Sequence, residues 1–133
     1  MGAQRTAKAR GSAAERELLH ALYLAGWGAV RAAGSGSIPL EVPDIIAGHE
    51  SRTVAIEVKV CGNTRQYFKD QEIIDLREFG RRMGCETWVG VKFLRKGWYF
   101  VPAHTLLSSG KNYVLSYEDA LERGRSIEQL IEK

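Results

Sequence analysis

The stretch Val54-Ala55-Ile56-Glu57-Val58-Lys59-Val60 decides the fold, because its valines and isoleucine alternate with small or charged residues. Successive residues of a β-strand point to opposite faces, so the aliphatic set shares one face and Ala55, Glu57 and Lys59 share the other. The aliphatic neighbours predict a central strand, where charged side chains are costly unless something compensates them. The alternative is a surface hairpin with one polar face and an incidental salt bridge.

A second short run lies just upstream of this strand. Asp44-Ile45-Ile46-Ala47 is extended in character, and Gly48-His49-Glu50-Ser51-Arg52 has the composition of a turn. Folding of this hairpin would bring Asp44 beside Glu57 and Lys59. Two carboxylates and one ammonium at a strand junction could bind a divalent cation and activate a water molecule.

The composition limits which metal this could be. Cys61 and Cys85 are far apart, and neither they nor the three histidines have metal-ligand spacing. We expect the cysteines to be small buried or half-buried side chains. A metal would therefore be held by oxygen atoms, which favours magnesium or manganese over zinc.

The chain of 133 residues is long enough for one domain with a sizeable core. No apolar run approaches the roughly 20 residues of a membrane helix, and the basic N-terminus lacks the apolar segment of a signal peptide. We therefore expect no membrane partner and a cytoplasmic location. The net charge of +3 is concentrated in the N-terminal region and between residues 59 and 97, which suits a polyanion but is also common on ordinary surfaces.

The remaining pattern predicts an α/β fold with a central mixed sheet flanked by helices. Residues 1–11 are expected to form a flexible basic arm, and residues 12–133 a single domain. A helix is expected from Ser12 to about Ala25, a strand at 29–32, and a second helix at about 67–83 that ends at Gly84. Further strands are expected at 87–93 and 98–101, followed by a short segment near residues 113–115 and a last helix from about residue 117. The expected core stripe of the second helix consists of Ile73, Leu76, Phe79 and Met83.

Glu15 is the third carboxylate of interest, because its neighbours at helical spacing are Leu18, Leu19 and Leu22. Ser12 and Glu15 also fit a capping box, in which the glutamate would only stabilise the helix start. Both interpretations stay open at this point. The loop at 34–37, Gly-Ser-Gly-Ser, is either a connector or a presenter of hydroxyl and amide groups to a phosphate.

These segments together resemble the archaeal-type Holliday-junction resolvases of the PD-(D/E)xK nuclease superfamily. The resemblance extends over about residues 11–101 and depends on the order and spacing of several short motifs. They are Gly-Ser-Ala-Ala-Glu-Arg-Glu-Leu-Leu (11–19), Ala-Val-Arg-Ala-Ala-Gly-Ser-Gly-Ser (29–37), Pro-Asp-Ile-Ile-Ala (43–47), Ile-Glu-Val-Lys (56–59), Val-Lys-Phe (91–93) and Trp-Tyr-Phe (98–100).

The resemblance implies a restriction-endonuclease-like core and a homodimer that binds four-way DNA junctions in recombination and repair. It implies Mg²⁺-dependent paired, symmetric nicks, with Mn²⁺ as a substitute, that leave 5′-phosphate and 3′-hydroxyl ends. By resemblance, the catalytic residues are Glu15, Ser35, Asp44, Glu57 and Lys59, of which Glu15, Asp44 and Glu57 are the metal ligands. Ser37 competes with Ser35 as the loop serine. The DNA-binding candidates are Arg10, Arg16 and Arg31.

Two other functions are compatible with the same residues. The chain could be another PD-(D/E)xK endonuclease that cuts duplex DNA, although its small size argues against an added sequence-reading domain. It could also be a non-catalytic junction-binding module, against which the intact Asp44, Glu57 and Lys59 argue.

Overall fold

The computed structural model describes residues 6–32 and 42–132. These residues form two β-sheets and four α-helices. The elements are α1 (Ala7–Leu24), β1 (Gly28–Arg31), β2 (Ile45–His49), β3 (Arg52–Cys61), β4 (Arg65–Lys69), α2 (Asp70–Met83), β5 (Glu86–Phe93), β6 (Gly97–Pro102), β7 (Leu107–Ser108), β8 (Asn112–Ser116), α3 (Tyr117–Arg123) and α4 (Ile127–Leu130). None of these helices is long and apolar enough to cross a membrane.

The main sheet has five strands in the order β1-β2-β3-β5-β6. β3 pairs with β5 in parallel, and the other neighbouring pairs are antiparallel. Parallel neighbours require a crossover connection, which β4 and α2 provide. The expected mixed sheet with flanking helices is therefore confirmed.

The alternation in β3 divides the core into two layers. Val54, Ile56 and Val58 pack in one cluster with Leu18 and Leu22 of α1. On the opposite face of the sheet, Ala55 joins a second cluster that includes Ile73 and Leu76 of α2. Glu57 and Lys59 have the same parity as Ala55, so β3 presents them on the face that α2 covers.

The first helix begins earlier than the sequence pattern predicts. It starts at Ala7, and the Thr6 hydroxyl caps it by accepting a hydrogen bond from the amide of Ala9, 3.1 Å away. The predicted start at Ser12 was wrong, and residues 7–11 are helical rather than part of a flexible arm. Ser12 lies inside the helix, which excludes the capping box as the interpretation of Ser12 and Glu15. Residues 1–5 lie outside the described residues.

The second helix begins later than predicted, at Asp70, because residues 65–69 form β4. β4 pairs with β8, and with β7 these strands make a small antiparallel sheet that the sequence pattern did not predict. Ile73 and Leu76 are buried as expected, whereas Met83 is 54% exposed and does not belong to the core. Gly84 ends the helix with a left-handed backbone, φ 69°, as predicted.

Candidate functional site

The β2–β3 hairpin places Asp44 and Glu57 side by side. Ile45 pairs with Ile56, so Asp44, one residue before β2, lies level with Glu57. Asp44 Oδ2 accepts a hydrogen bond from the amide of Val58 at 2.8 Å, which fixes the carboxylate against β3. The hairpin turn is tight, because β2 ends at His49 and β3 begins at Arg52. The predicted juxtaposition of the two acids is present in the structure.

The carboxyl group of Glu57 is buried beside that of Asp44, and both features favour its protonated form. The pKa of Glu57 is raised from 4.5 to about 10, first by burial, then by its hydrogen bond with Asp44 and by the negative charge of Asp44. Two adjacent carboxylates can both ionise only when positive charge compensates them. The pair is therefore set up to exchange its proton for a cation.

Lys59 follows two residues later on the same face of β3. Its Nζ lies 2.7 Å from Oε2 of Glu72, a residue in the first turn of α2. The two side chains are 31% and 26% exposed, so the ion pair is open to solvent on one side. The structure thus brings Lys59 to the acid pair, as predicted, and adds an α2 carboxylate that was not predicted.

Glu15 approaches the pair from α1 and is held by Arg31. Arg31 Nε donates to Glu15 Oε1 at 2.9 Å, and Arg31 Nη2 donates to Ser12 Oγ at 3.0 Å. The pKa of Glu15 is nevertheless raised, first by burial and then by the negative charge of Asp44, against the opposing effect of Arg31. Glu15 is therefore close enough to Asp44 for the two charges to interact.

These residues line one open cavity of about 430 Å³, which we call the catalytic groove. Its lining includes Glu15, Asp44, Glu57, Lys59 and Arg31, together with Lys8 and Arg10 from the first turns of α1. A smaller cavity of about 100 Å³ adjoins it, and four acids line its walls: Asp44, Glu57, Glu72 and Asp75. Carboxylates thus form the base of the site, and basic side chains stand at its α1 side.

The donor set fits a hard cation that binds through oxygen. Mg²⁺ keeps several of its waters and is commonly held by only one or two carboxylates, which Asp44 and Glu57 provide. Among the described residues, no three histidine, cysteine, aspartate or glutamate side chains lie close enough to form a complete cage. Both cysteines are free; Cys61 is buried and Cys85 is half-buried, as expected.

The remaining predicted site residues are placed less directly. Arg10 and Arg31 line the catalytic groove. Arg16 is exposed at the helical position after Glu15, and its charge lowers the pKa of that carboxyl. Ser35 and its competitor Ser37 lie outside the described residues.

Sequence reasoning missed Glu72 and Asp75. A signal was present, since Glu72 directly precedes the buried Ile73, and Asp75 directly precedes the buried Leu76. Acids beside a buried stripe lie at the edge of the packed face of a helix. What the sequence did not reveal was which strand that face covers.

Comparisons with known proteins agree on one family. A family model described as archaeal Holliday junction resolvase (Hjc) matches residues 6–133. The chain is 41% identical over 106 residues to the crossover junction endodeoxyribonuclease Hjc of Archaeoglobus fulgidus, covering 80% of this chain and 78% of that protein. It is 36% identical over 127 residues to the Sulfurisphaera tokodaii protein of the same name, covering 93% of this chain and 87% of that one.

A solved structure is similar over almost its whole length. The structure of Archaeoglobus fulgidus Hjc, described as a Holliday junction resolvase from an archaeal hyperthermophile, matches with a TM-score of 0.84 and 35% sequence identity. The match covers 90% of this chain and 98% of that one. The expected restriction-endonuclease-like core is therefore confirmed.

Proposed function

The chain belongs to the family of archaeal Holliday junction resolvases, and we propose that it resolves four-way DNA junctions by metal-dependent cleavage in the catalytic groove. One observation carries this proposal above the others. Glu57 is buried beside Asp44, and its burial, followed by the hydrogen bond and the negative charge of Asp44, raises its pKa to about 10, immediately beside the Lys59 ammonium. An acid pair that needs compensating charge, next to a fixed cation, suits phosphodiester hydrolysis.

Asp44 and Glu57 would hold Mg²⁺, for which Mn²⁺ would substitute, and Glu15 is the third candidate ligand. Bound there, the cation would supply Lewis-acid chemistry, lowering the pKa of water and neutralising charge on the phosphate. Arg31 lies 2.9 Å from Glu15 and occupies one of its oxygens. The second oxygen of Glu15 is the one that could reach a cation while this ion pair persists.

Lys59 would orient the attacking water and stabilise negative charge that develops on the phosphate. Water attacks the phosphorus and gives up one proton to solvent, the bond from phosphorus to the 3′ oxygen breaks, and that oxygen takes up a proton from solvent and leaves as a hydroxyl. The products carry 5′-phosphate and 3′-hydroxyl ends, which a ligase can seal. Ser35 is proposed as the loop serine that assists this step.

Binding of the junction would use charge and shape. Arg10, Arg16 and Arg31 are the proposed phosphate contacts, since Arg10 and Arg31 line the groove and Arg16 is exposed next to Glu15. Phosphate contacts position a protein on DNA without reading sequence. Residues 12–133 would act as one nuclease domain, and a DNA substrate favours a cytoplasmic location.

We propose that the active form is a homodimer. A two-fold dimer carries two identical sites related by symmetry. Two such sites would cut two opposing strands of a junction at symmetric positions without a second active site in one chain. Sedimentation of the protein with and without a junction measures this state directly.

Cleavage of a synthetic four-way junction, compared with a linear duplex built from the same arms, tests the proposal. We expect cutting of the junction only, in the presence of Mg²⁺, with paired symmetric nicks. Equal cutting of both substrates would show a duplex endonuclease instead. Tight junction binding with no cutting in Mg²⁺ or Mn²⁺ would show a non-catalytic binding module.

A further inference from the structure

Glu72 lies on α2, outside the set of acids that sequence reasoning assigned to the site. We propose that Glu72 is a positioning residue that holds the Lys59 ammonium at the catalytic groove. The inference rests on the proposed function, because it assigns Glu72 a role in that same cleavage reaction. It concerns how the lysine is held and not which residues bind metal.

The Glu72 carboxylate uses its two oxygen atoms for two different partners. Oε2 lies 2.7 Å from Lys59 Nζ, and Oε1 accepts a hydrogen bond from the backbone amide of Lys69 at 3.2 Å. The second contact fixes the carboxylate against the start of α2. The ion pair with Lys59 uses that fixed carboxylate to hold the ammonium at the end of a flexible lysine side chain of four methylene groups.

The backbone that carries Glu72 is itself well anchored. Ile73 and Leu76, on the same turns of α2, are each only 2% exposed and pack in the cluster that includes Ala55 of β3. β3 is the central strand of the main sheet and carries Lys59. Glu72 and Lys59 therefore project from two elements that are packed against each other.

Glu72 also lies near the acid pair. It lines the cavity of about 100 Å³ together with Asp44 and Glu57. The charge of Lys59 also acts on Glu57, but the ion pair that Lys59 forms, at 2.7 Å, is with Glu72. Holding the ammonium on Glu72 keeps it off Asp44 and Glu57, which leaves their oxygens for a cation.

A capping role alone predicts a different outcome on substitution. Either glutamate or glutamine can occupy the third helical position of a capping box, because the side-chain oxygen of both accepts a hydrogen bond from the backbone amide. Glu72→Gln therefore preserves the hydrogen bond from Lys69 and removes only the charge that holds Lys59. This difference separates positioning from helix capping in a single substitution.

The experiment compares the wild type, Glu72→Gln and Glu72→Asp on a synthetic four-way junction with Mg²⁺. Three quantities are measured for each protein: the single-turnover cleavage rate, the Kd for the junction without Mg²⁺, and the Tm. Glu78→Gln is the matched control, because Glu78 is on the same helix and forms its ion pairs with Arg81 and Arg82. The control should cut at the wild-type rate.

We expect Glu72→Gln to cut about 10- to 100-fold more slowly, the range that misplacement of a reacting group produces. Its Kd for the junction should not rise, since the variant removes a negative charge from a site that binds a polyanion. Its Tm should be close to that of the wild type. Glu72→Asp keeps the charge and should cut faster than Glu72→Gln. In a Lys59→Ala background, Glu72→Gln should slow the residual cleavage no further, because the group it positions is already gone.

Each contrary result overturns the inference. Wild-type cutting by Glu72→Gln would show that the ion pair is incidental. A rate loss matched by an equal loss of junction affinity would assign Glu72 to DNA binding, and a variant that fails to fold would assign it to the fold. Failure of the wild type to cut any junction is a separate outcome, which refutes the proposed function itself.

Discussion

Replacing Glu57 with glutamine should make the metal-free protein more stable while removing its cleavage activity. In the folded protein the pKa of Glu57 is about 10, because the carboxyl is buried and shares a hydrogen bond with Asp44. In the unfolded chain it returns to its ordinary value of 4.5. At pH 7 the carboxyl group of Glu57 must therefore take up a proton when the chain folds, and this uptake lowers the free energy of unfolding.

The size of this penalty follows from the distance between the unfolded pKa and the working pH. Each pH unit above 4.5 costs about 1.4 kcal/mol until the folded pKa is reached. Between 4.5 and 7 the cost reaches about 3 kcal/mol as an upper value. Glutamine keeps the size of the side chain and one donor for Asp44 but has no proton to lose, so Glu57→Gln should gain up to about 3 kcal/mol at pH 7.

The sign of the pH dependence is also fixed. Because the folded pKa of Glu57 lies above the unfolded one, the contribution of this group to the free energy of unfolding is fully present below pH 4.5. It is lost progressively as the pH rises towards about 10. The advantage of Glu57→Gln over the wild type should therefore be close to zero at pH 4.5 and grow with pH. Urea unfolding of both proteins in EDTA, at several pH values between 4.5 and 9, measures this difference.

Mg²⁺ should reverse the comparison, because ligands that bind only the folded state stabilise it by mass action. The wild type should gain stability with added Mg²⁺, and Glu57→Gln should gain much less. A Glu57→Gln protein that is no more stable than the wild type at pH 7 in EDTA would refute the reasoning. It would show that the pair does not hold a proton in the folded state.

Three further substitutions test other parts of the structure. Glu86→Gln should destabilise the protein by about 1 kcal/mol at pH 7, the usual net worth of a hydrogen bond, because Arg52 and Trp88 donate to that carboxylate and lower its pKa. The loss should shrink once the pH falls below the ordinary carboxyl value of 4.5 and through the lowered folded pKa, and an unchanged urea midpoint at pH 7 would contradict it. Gly90→Ala should cost roughly 1 to 3 kcal/mol by overpacking, because a Cβ at Gly90 would lie 2.5 Å from the Phe100 ring; thermal unfolding measures the loss. Thr6→Ala should cost about 1 kcal/mol or less by removing the helix cap, and faster amide exchange confined to the first turn of α1 would locate it.

The sequence determined the local geometry of β3 because strand parity depends only on neighbouring residues. It therefore predicted that Glu57 and Lys59 share a face and that the turn brings Asp44 to them. The start of α1 was misplaced for an equally local reason, since Ser12 and Glu15 imitate a capping box. Thr6 was already available as a cap, and Ser12 instead accepts a hydrogen bond from Arg31, 19 residues away in sequence.

Contacts between distant segments account for what remained unpredicted. β4 alternates exposed and less exposed positions, but a strand of five residues is recognisable only through its pairing with β8, more than 40 residues later. Glu72 is similar, because its partner Lys59 becomes apparent only once α2 packs on β3. The sequence pattern thus predicts which residues share one face of a helix or strand, and tertiary packing decides which of these faces lie against each other.

The acid pair shows why this distinction matters for function. Strand phase alone puts Asp44 and Glu57 together, but an exposed pair would ionise in water and bind a cation only weakly. Burial raises the pKa of Glu57 to about 10, so we expect the metal-free fold to keep a proton on this group and to be less stable at neutral pH than Glu57→Gln. A bound cation would remove that cost by compensating both carboxylates. The same burial that destabilises the metal-free protein is therefore what would couple metal binding to the stability of the site.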